Sequence, residues 1–107
     1  MAPNPLISII VTTFNRKALL TETLKSILNQ TYNNFELIVV DNFSDYDFLS
    51  HMNTFNDNRI RPFQNLNNGI IAINRNFGIK KSKGEFIAFC DDDDLWLLHK
   101  LEKQLDY

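Results

Sequence analysis

Four consecutive carboxylates, at positions 91–94, directly follow the apolar run 86–90. Like charges on neighbouring residues repel one another, and burial would increase that repulsion. We therefore expect a positive group at this place, or that some of the four side chains face water. A short apolar run of this kind is typical of a buried strand. The acidic residues would then stand at the carboxyl end of that strand.

The acidic run suits a hard divalent cation. Mg²⁺ and Mn²⁺ are usually held by one or two carboxylates together with water and substrate phosphates. Asp91 and Asp93 are separated by one residue, so both can reach one ion or its waters. In the alternative interpretation, Asp94 caps a following helix, Asp93 favours the dipole of that helix, and the other carboxylates are solvated. The preceding apolar strand favours the metal.

Two further charged residues have alternative interpretations. Asp41 ends the apolar run 35–40, where an aspartate is often a turn residue that accepts hydrogen bonds from nearby N–H groups, but it could also bind a ligand. Arg75 lies on a predicted helix and is by default a solvated surface charge. If its edge of the helix faces a crevice, Arg75 could instead bind a phosphate oxygen.

Composition indicates one globular domain, 1–107. The chain is 44% hydrophobic and 22% charged with a net charge of −2, so nothing favours nucleic acid as a partner. Its single cysteine, Cys90, predicts a reducing compartment and excludes an internal disulfide or a cysteine-based zinc site. His51 and His99 are isolated and lack the spacing of a metal-ligand pair.

The hydropathy pattern predicts a cytoplasmic protein without a transmembrane segment. No apolar stretch approaches the roughly 20 residues that span a bilayer. The first five residues, Met-Ala-Pro-Asn-Pro, lack the charged and apolar regions of a signal peptide.

Apolar runs and helical spacing predict four strands that alternate with four helices. The predicted strands are 6–11, 35–40, 59–63 and 85–90. The first predicted helix covers about 16–30 with Asn15 as N-cap, and the second is capped by Ser44 or Asp45. The third is marked by Ile70, Ile73, Asn74 and Phe77 and ends before Gly84. The fourth runs from about Leu95 to the chain end.

These elements predict an α/β fold with a parallel sheet and helices on both faces, because the strands are too apolar for a sheet with one wet face. Pro62 cannot donate to a strand ladder, so the third strand belongs at an edge. Right-handed crossovers then give the strand order 3-2-1-4. The chain reverses direction between strands 1 and 4, and ligands bind at the carboxyl ends of strands at such a point.

Several segments resemble the family 2 glycosyltransferases. Residues 8–16 read SIIVTTFNR, which is similar to the family's SIIIPTYNR. Further blocks follow in the family's order and spacing: SILNQTY at 26–32, FELIVVD at 35–41, NG at 68–69, RNFG at 75–78, KGEFI at 83–87 and DDDDLW at 91–96.

The resemblance implies a three-layer, Rossmann-like GT-A fold and inverting transfer of a sugar from a nucleotide-diphospho-sugar, most commonly a UDP-sugar. It also implies Mn²⁺ or Mg²⁺, which neutralises the departing diphosphate. The residues carried over are Thr13 near the nucleoside, Asp41 toward the base, Arg75 near the nucleotide, Asp91 and Asp92 on the donor, and Asp91 and Asp93 on the metal. We expect the Asp92 side chain to face solvent.

The chain departs from the family pattern in three places. Thr12 replaces a proline, and the segment Asn-Phe-Ser-Asp at 42–45 stands where the family has Asp-Gly-Ser-Thr-Asp, so Asn42 and Phe43 are not assigned as ligands. In the family, the acceptor half and the general base follow the Asp-x-Asp motif. We therefore expect a truncated, donor-binding half whose base lies beyond Tyr107. The acceptor would be a saccharide or a lipid-linked saccharide, which would place the full-length protein at a membrane surface.

Two other functions are compared with this one, and one interaction is predicted. A nucleotide-sugar-binding module without activity would carry the same motif. A receiver-type phosphoryl-transfer domain would need a lysine or threonine at later strand ends, for which the predicted order has no strand. The free edge of strand 4, with Phe86, Ile87 and Phe89, predicts a homo-oligomer, because exposed strand edges pair with other chains.

Overall fold

The computed structural model describes residues 4–105. Strands and helices alternate in the predicted order, and both ends of every strand lie within two residues of their predicted positions. The elements are β1 Ile7–Thr13, α1 Lys17–Leu28, β2 Phe35–Asp41, α2 Phe48–Asn53, β3 Ile60–Gln64, α3 Ile71–Lys81, β4 Phe86–Asp91 and α4 Lys100–Leu105.

The four strands form one parallel sheet in the order β3-β2-β1-β4, which confirms the predicted topology. Thr13 of β1 lies opposite Asp41 of β2, and Thr12 lies opposite Asp91 of β4. Because all four strands run in the same direction, these residues share the carboxyl end of the sheet. The register alone therefore brings the polar ends of three strands together.

The sheet has helices on both faces, as predicted, but the two faces are unequal. The smaller cluster consists of Ile10, Ile38 and Val40, with Phe63 and Phe77 packed against it. On the other face α1, α2 and α4 contribute the buried side chains Leu20, Leu24, Ile27, Phe48, Met52 and Leu101. Fully burying one such side chain stabilises the fold by about 1.5–3 kcal/mol. Because more of these side chains lie on this face, it supplies most of the stabilisation by apolar burial.

Helix α3 packs through only part of the predicted face, because Asn74 and Phe77 pack inward and the two isoleucines do not. Ile70, which precedes it, and Ile73 are 56% and 40% exposed, whereas Asn74 and Gly78 are buried. A Cβ atom on Gly78 would lie 2.7 Å from Cγ2 of Ile10. The helix therefore approaches the sheet through a small residue, and a search for apolar spacing misses this kind of contact.

The prediction that Asn15 caps α1 is wrong. The N-cap of α1 is Arg16, whose side chain makes no capping hydrogen bond. Asn15 adopts a positive φ of 50°, and its side-chain oxygen accepts a hydrogen bond from the Asp45 backbone N–H at 2.8 Å. The Asn15 side chain therefore bonds to a residue that is distant in sequence instead of capping the helix that follows it.

The predicted cap of α2 is also wrong. Asp47, rather than Ser44 or Asp45, is the N-cap, and its carboxylate accepts the Ser50 N–H at 3.1 Å. The loop after β2 is therefore longer than predicted and leaves Ser44 free for another contact at the end of that strand.

Gly84 does not end α3 in the predicted way, because the helix ends at Lys81 and Ser82 follows in an extended conformation. A Cβ atom at Gly84 would lie 2.7 Å from the Leu6 carbonyl oxygen and from the Ser8 nitrogen. The Gly84 N–H donates to the Ser8 hydroxyl at 2.8 Å. The glycine is thus required by close contact with β1.

Ser8 belongs to a buried polar network at the amino end of the sheet. Its hydroxyl donates to Glu36 at 2.6 Å, and the same carboxylate accepts the Lys83 N–H at 2.6 Å and the Arg61 guanidinium at 2.7 Å. Burial acts to raise the pKa of Glu36, but these hydrogen bonds outweigh it and hold the pKa below its usual value. The network joins β1, β2, β3 and the turn before β4.

The outer strands differ from the buried pair. β3 carries Pro62 at an edge, as predicted. β4 was predicted to be a buried strand, and this is wrong: Phe86, Ile87 and Phe89 are between 41% and 49% exposed, and Cys90 is its buried residue. Within residues 4–105 β4 pairs with β1 alone, so the apolar side chains on it are only half covered.

The segment after β4 is less helical than predicted. α4 begins at Lys100 rather than near Leu95, so Asp94 does not cap it; the Asp94 N–H instead donates to the Asp91 carbonyl oxygen at 3.2 Å in a turn. The predicted end of this helix at Tyr107 lies outside the described residues. No described helix is long and apolar enough to cross a membrane.

Candidate functional site

A cleft of about 460 Å³ lies at the carboxyl end of the sheet, where the switch point between β1 and β4 predicts one. Its wall is formed by Thr12, Thr13, Phe14, Arg16, Asn42, Asn67, Gly69, Ile71, Asp91, Asp92 and Asp93. Four of the predicted site residues are therefore brought together in one wall, and Asp41 and Arg75 are not part of it. A larger cleft of about 740 Å³ beside α2 and β3 contains none of the predicted site residues.

The acidic turn, residues 91–96, begins at the last residue of β4 and is held in place by α1. The Thr23 hydroxyl donates to the Asp92 carbonyl oxygen at 2.9 Å in a buried position. Four residues further along the chain, the Trp96 N–H donates to the Ser26 hydroxyl at 3.0 Å. Two hydroxyls, three residues apart on α1, thus fix both ends of the turn and orient its carboxylates.

Two arginines provide the positive charge that the acidic run requires. One nitrogen of Arg16 lies 3.3 Å from both an Asp92 oxygen and an Asp93 oxygen. Arg75 lies 3.5 Å from an Asp91 oxygen. The side chains of Asp91 and Asp93 are 65% and 49% exposed, so their ion pairs are screened and add little stability.

Asp92 does not face solvent, contrary to expectation. The residue is 8% exposed and its carboxylate is paired with Arg16. Burial raises the pKa of the Asp92 carboxyl above its usual value, while the Arg16 guanidinium opposes that shift. The alternation of side chains along the turn therefore places Asp92 toward α1 and leaves its neighbours in the open cleft.

Thr13 lines the cleft with its side chain almost fully buried. The residue is 5% exposed. Its hydroxyl lies near Asp92 but outside hydrogen-bonding geometry, so among residues 4–105 this buried oxygen has no hydrogen-bond partner. A buried hydroxyl without a partner is costly, and it is available to a bound ligand.

Asp41 is fully buried beneath the cleft. Its carboxylate accepts the Ser44 N–H at 3.0 Å, the Ser44 hydroxyl and the Gln64 side-chain amide at 3.2 Å. These contacts fit the interpretation of Asp41 as the residue that holds the turn after β2. Its contact with a nucleotide base stays a prediction.

Arg75 reaches from α3 to the carboxyl end of β4. Its guanidinium carbon is 5.9 Å from the centre of the Phe89 ring, in addition to the pairing with Asp91. The arginine is thus not simply a solvated charge, because it contacts a predicted metal ligand. Its contact with a nucleotide stays a prediction.

Sequence reasoning missed three residues of this site. Arg16 is the last residue of the segment 8–16 that resembles the family, but it was given no role. Asn42 lines the cleft, and its side chain accepts the Asn67 N–H at 2.8 Å. Tyr46 lies nearby with a buried hydroxyl that finds no partner in the described part of the chain. Burial, then the charges of Asp41 and Asp92, raise the pKa of Tyr46 to about 12.

The carboxylates of the cleft fit a hard divalent cation. No cluster of three or more metal-ligating side chains stands together within residues 4–105. Asp91 and Asp93 nevertheless supply half-exposed oxygen ligands on one wall of the cleft. Two carboxylates suffice for Mg²⁺ or Mn²⁺ when water and phosphate oxygens complete the coordination.

Known proteins share both the sequence pattern and the fold. The chain is 38% identical over 100 residues to the Escherichia coli UDP-Glc:alpha-D-GlcNAc-diphosphoundecaprenol beta-1,3-glucosyltransferase WfgD, an alignment that covers 94% of the chain and 40% of WfgD. S. aureus TarS 1-349 in complex with UDP-GlcNAc superposes with a TM-score of 0.86 at 30% identity, over 94% of the chain and 30% of TarS.

A third similar protein carries a metal. The mannosyltransferase PcManGT from Pyrobaculum calidifontis, in complex with GDP-Man and Mn²⁺, superposes with a TM-score of 0.76 at 26% identity, over 87% of the chain and 29% of PcManGT. The chain spans 15% and 42% of the length of two further curated relatives, glycosyltransferases from Rickettsia bellii and Haemophilus influenzae.

The fold is therefore the GT-A type of nucleotide-sugar transferases, as the resemblance implied. The pattern of the family described as "Glycosyl transferase family 2" matches residues 8–107. The chain belongs to glycosyl transferase family 2.

Proposed function

We propose that this chain is the donor-binding part of a glycosyltransferase that moves a sugar from a nucleotide-diphospho-sugar to an acceptor hydroxyl with inversion. The observation that carries the proposal is the acidic turn, whose exposed carboxylates Asp91 and Asp93 stand in the cleft at the switch point of the sheet. The complexes of TarS with UDP-GlcNAc and of PcManGT with GDP-Man support a nucleotide sugar as the ligand, with UDP-sugars as first choice.

Each site residue has a separate role in this proposal. Asp91 and Asp93 would hold Mn²⁺ or Mg²⁺, and a bound ion would neutralise negative charge on the departing diphosphate. Arg75, which already contacts Asp91, lies beside the phosphates. Asp92 contributes to the donor site by holding Arg16 in the wall of the cleft.

The nucleoside end of the donor would use the ends of β1 and β2. Thr13 lines the cleft with a hydroxyl that has no partner within residues 4–105, and it would contact the nucleoside. Asp41 would accept a hydrogen bond from the base at a carboxylate lone pair that its three bonds from Ser44 and Gln64 leave unused.

The residues of this cleft are assigned to the donor, and none of them is assigned as the general base. A saccharide on a lipid carrier is the acceptor class we propose, because the name of WfgD specifies a diphosphoundecaprenol-linked sugar. An acceptor of this kind would bring the reaction to a membrane surface. The alternative function is a nucleotide-sugar-binding module without transfer, which the donor site described here would serve equally well.

A thermal-shift panel of nucleoside diphosphates, each with and without Mn²⁺, tests the donor site. We expect one nucleotide, together with Mn²⁺, to raise the melting temperature by a few degrees, because a ligand that binds only the native state stabilises it. Asp93→Asn should abolish the shift, and Glu22→Gln, which alters a comparably exposed carboxylate on α1, should keep it. The absence of a shift with every nucleotide would refute the proposal.

Sugar transfer separates the two functions. Incubation of the chain with donor, Mn²⁺ and an acceptor saccharide should give hydrolysis to water or transfer to the acceptor only if the machinery is complete. Either product would refute the binding module, whereas donor binding without a product is expected of both functions.

We also propose that a second copy of the chain pairs along the outer edge of β4. Half-exposed Phe86, Ile87 and Phe89 support this proposal. Light scattering should show a dimer whose population rises with protein concentration, and Ile87→Lys should shift it to the monomer. A wild-type chain that stays monomeric at high concentration would refute the pairing.

A further inference from the structure

Arg16 occupies an unusual position among the residues of the cleft. It directly precedes α1, and one of its guanidinium nitrogens lies 3.3 Å from both Asp92 and Asp93. The Arg16 side chain is 51% exposed and forms part of the wall of the cleft. A single positive group therefore bridges two carboxylates of the acidic turn, and one of them, Asp93, is one of the two proposed metal ligands.

The two partners of Arg16 are not equivalent. The Asp92 side chain is 11% exposed, and its backbone is tied to Thr23 of α1. Removal of the cation from a buried carboxylate is strongly destabilising, so Asp92 holds Arg16 near the turn. Asp93 is 49% exposed and can exchange one cation for another at little cost.

The bridge has a direct consequence for metal binding. A divalent ion that approaches Asp93 meets a guanidinium on the same carboxylate, and like charges repel. A diphosphate changes the balance, because its oxygens bind both the ion and an arginine. Thr13, which is 5% exposed and has no hydrogen-bond partner in the described part of the chain, lines the same cleft and points to a ligand with oxygen acceptors.

We infer that Arg16 is a built-in counter-ion of Asp93 that excludes the bare metal ion and admits it together with a diphosphate. This inference rests on the proposed function for the identity of the ligand. Arg16 acts as a positioning residue: with donor bound, it stays paired with Asp92 and turns from Asp93 to a phosphate oxygen. Binding of metal and binding of nucleotide are then coupled, and by linkage each strengthens the other by the same factor.

Titration calorimetry of the 107-residue chain tests the coupling with three probes: Mn²⁺ alone, UDP alone, and Mn²⁺ in the presence of saturating UDP. In the wild type, UDP should tighten Mn²⁺ binding by at least about tenfold, within the usual range of coupling between sites. Arg16→Gln should bind bare Mn²⁺ several-fold more tightly than the wild type, bind UDP more weakly, and lose most of the coupling.

Two further variants make the comparison specific. Lys25→Gln removes one positive charge elsewhere on α1, from an exposed pair with Glu22, and should behave as the wild type. Arg16→Lys keeps the charge and should still exclude the bare ion. Circular dichroism of each variant checks that it folds.

The outcomes separate this inference from the proposed function. Bare Mn²⁺ that binds Arg16→Gln no more tightly than the wild type, including no binding to either at millimolar concentration, overturns the role of Arg16. A wild type that binds no nucleotide refutes the donor site, while the bare-metal comparison still decides whether Arg16 guards Asp93.

Discussion

The two ends of the sheet use the same kinds of groups in opposite ways. At the amino end, Glu36 is 7% exposed and receives three hydrogen bonds of 2.6–2.7 Å from Ser8, Lys83 and Arg61. At the carboxyl end, the carboxylates of the acidic turn meet their arginines at 3.3–3.5 Å, and two of the three are about half-exposed or more. The amino end is closed and stabilises the fold, whereas the carboxyl end keeps its charges available to a ligand.

The largest difference between the ends should appear when a carboxylate is made neutral. Glu36→Gln leaves Arg61 with a weakened buried partner and should lower the free energy of unfolding by about 3 kcal/mol. Asp93→Asn changes an exposed pair and should alter it by about 0.5 kcal/mol or less. Urea unfolding of both variants measures the contrast, and equal losses would show that the ends do not differ.

The charge of Glu36 should also appear as a dependence on pH. Its folded pKa is lowered, so the stabilisation is present above the unfolded pKa and is lost as pH falls through the folded pKa. The stability gap between the wild type and Glu36→Gln should therefore shrink as the pH falls from neutral into the acid range. Unfolding curves at several pH values measure it, and a gap that stays constant would contradict the role of the charge.

Replacing a glycine by alanine should also affect stability differently at the two ends of the sheet. Gly84→Ala places a methyl group 2.7 Å from backbone atoms of Leu6 and Ser8 and should cost about 2 kcal/mol. Gly69→Ala, in the wall of the cleft, meets nothing within 4 Å but has a φ of +83°, and should cost about 1 kcal/mol. Thermal unfolding ranks the two variants, and the reverse order would mean that β1 yields more easily than the loop.

The smallest effect compares two hydroxyls of β1. Ser8→Ala removes a hydroxyl that donates to Glu36 and accepts from Gly84, and should cost about 1 kcal/mol. Thr13→Val removes a hydroxyl without a described partner and should be within about 0.5 kcal/mol of the wild type. A loss for Thr13→Val as large as that for Ser8→Ala, in the same unfolding assay, would show that the Thr13 hydroxyl is already satisfied.

The sheet could be predicted because its determinants are local. Apolar runs locate the strands, and Pro62 places one of them at an edge. The errors arise where distant residues meet. The Asn15 side chain bonds to Asp45 instead of capping α1. Helix α3 packs against Ile10 through Gly78 as well as through Phe77.

The candidate site follows the same rule. The strand register brings Thr13 and the acidic run to one end of the sheet, which the sequence order predicts. The burial of Asp92 depends on Thr23 and Arg16, which are 69 and 76 positions away. No local pattern distinguishes Asp92 from its three neighbours, so its separate role required the fold.

The attachment of the acidic turn to α1 also provides a spectroscopic reporter. Trp96 is the single tryptophan of the chain, it is 8% exposed, and its backbone N–H donates to the Ser26 hydroxyl at the far end of the turn. The Lys100 ammonium lies 5.2 Å from the centre of its ring. A ligand that shifts the turn changes the surroundings of this one indole, so donor and metal binding can be followed by intrinsic fluorescence without a label.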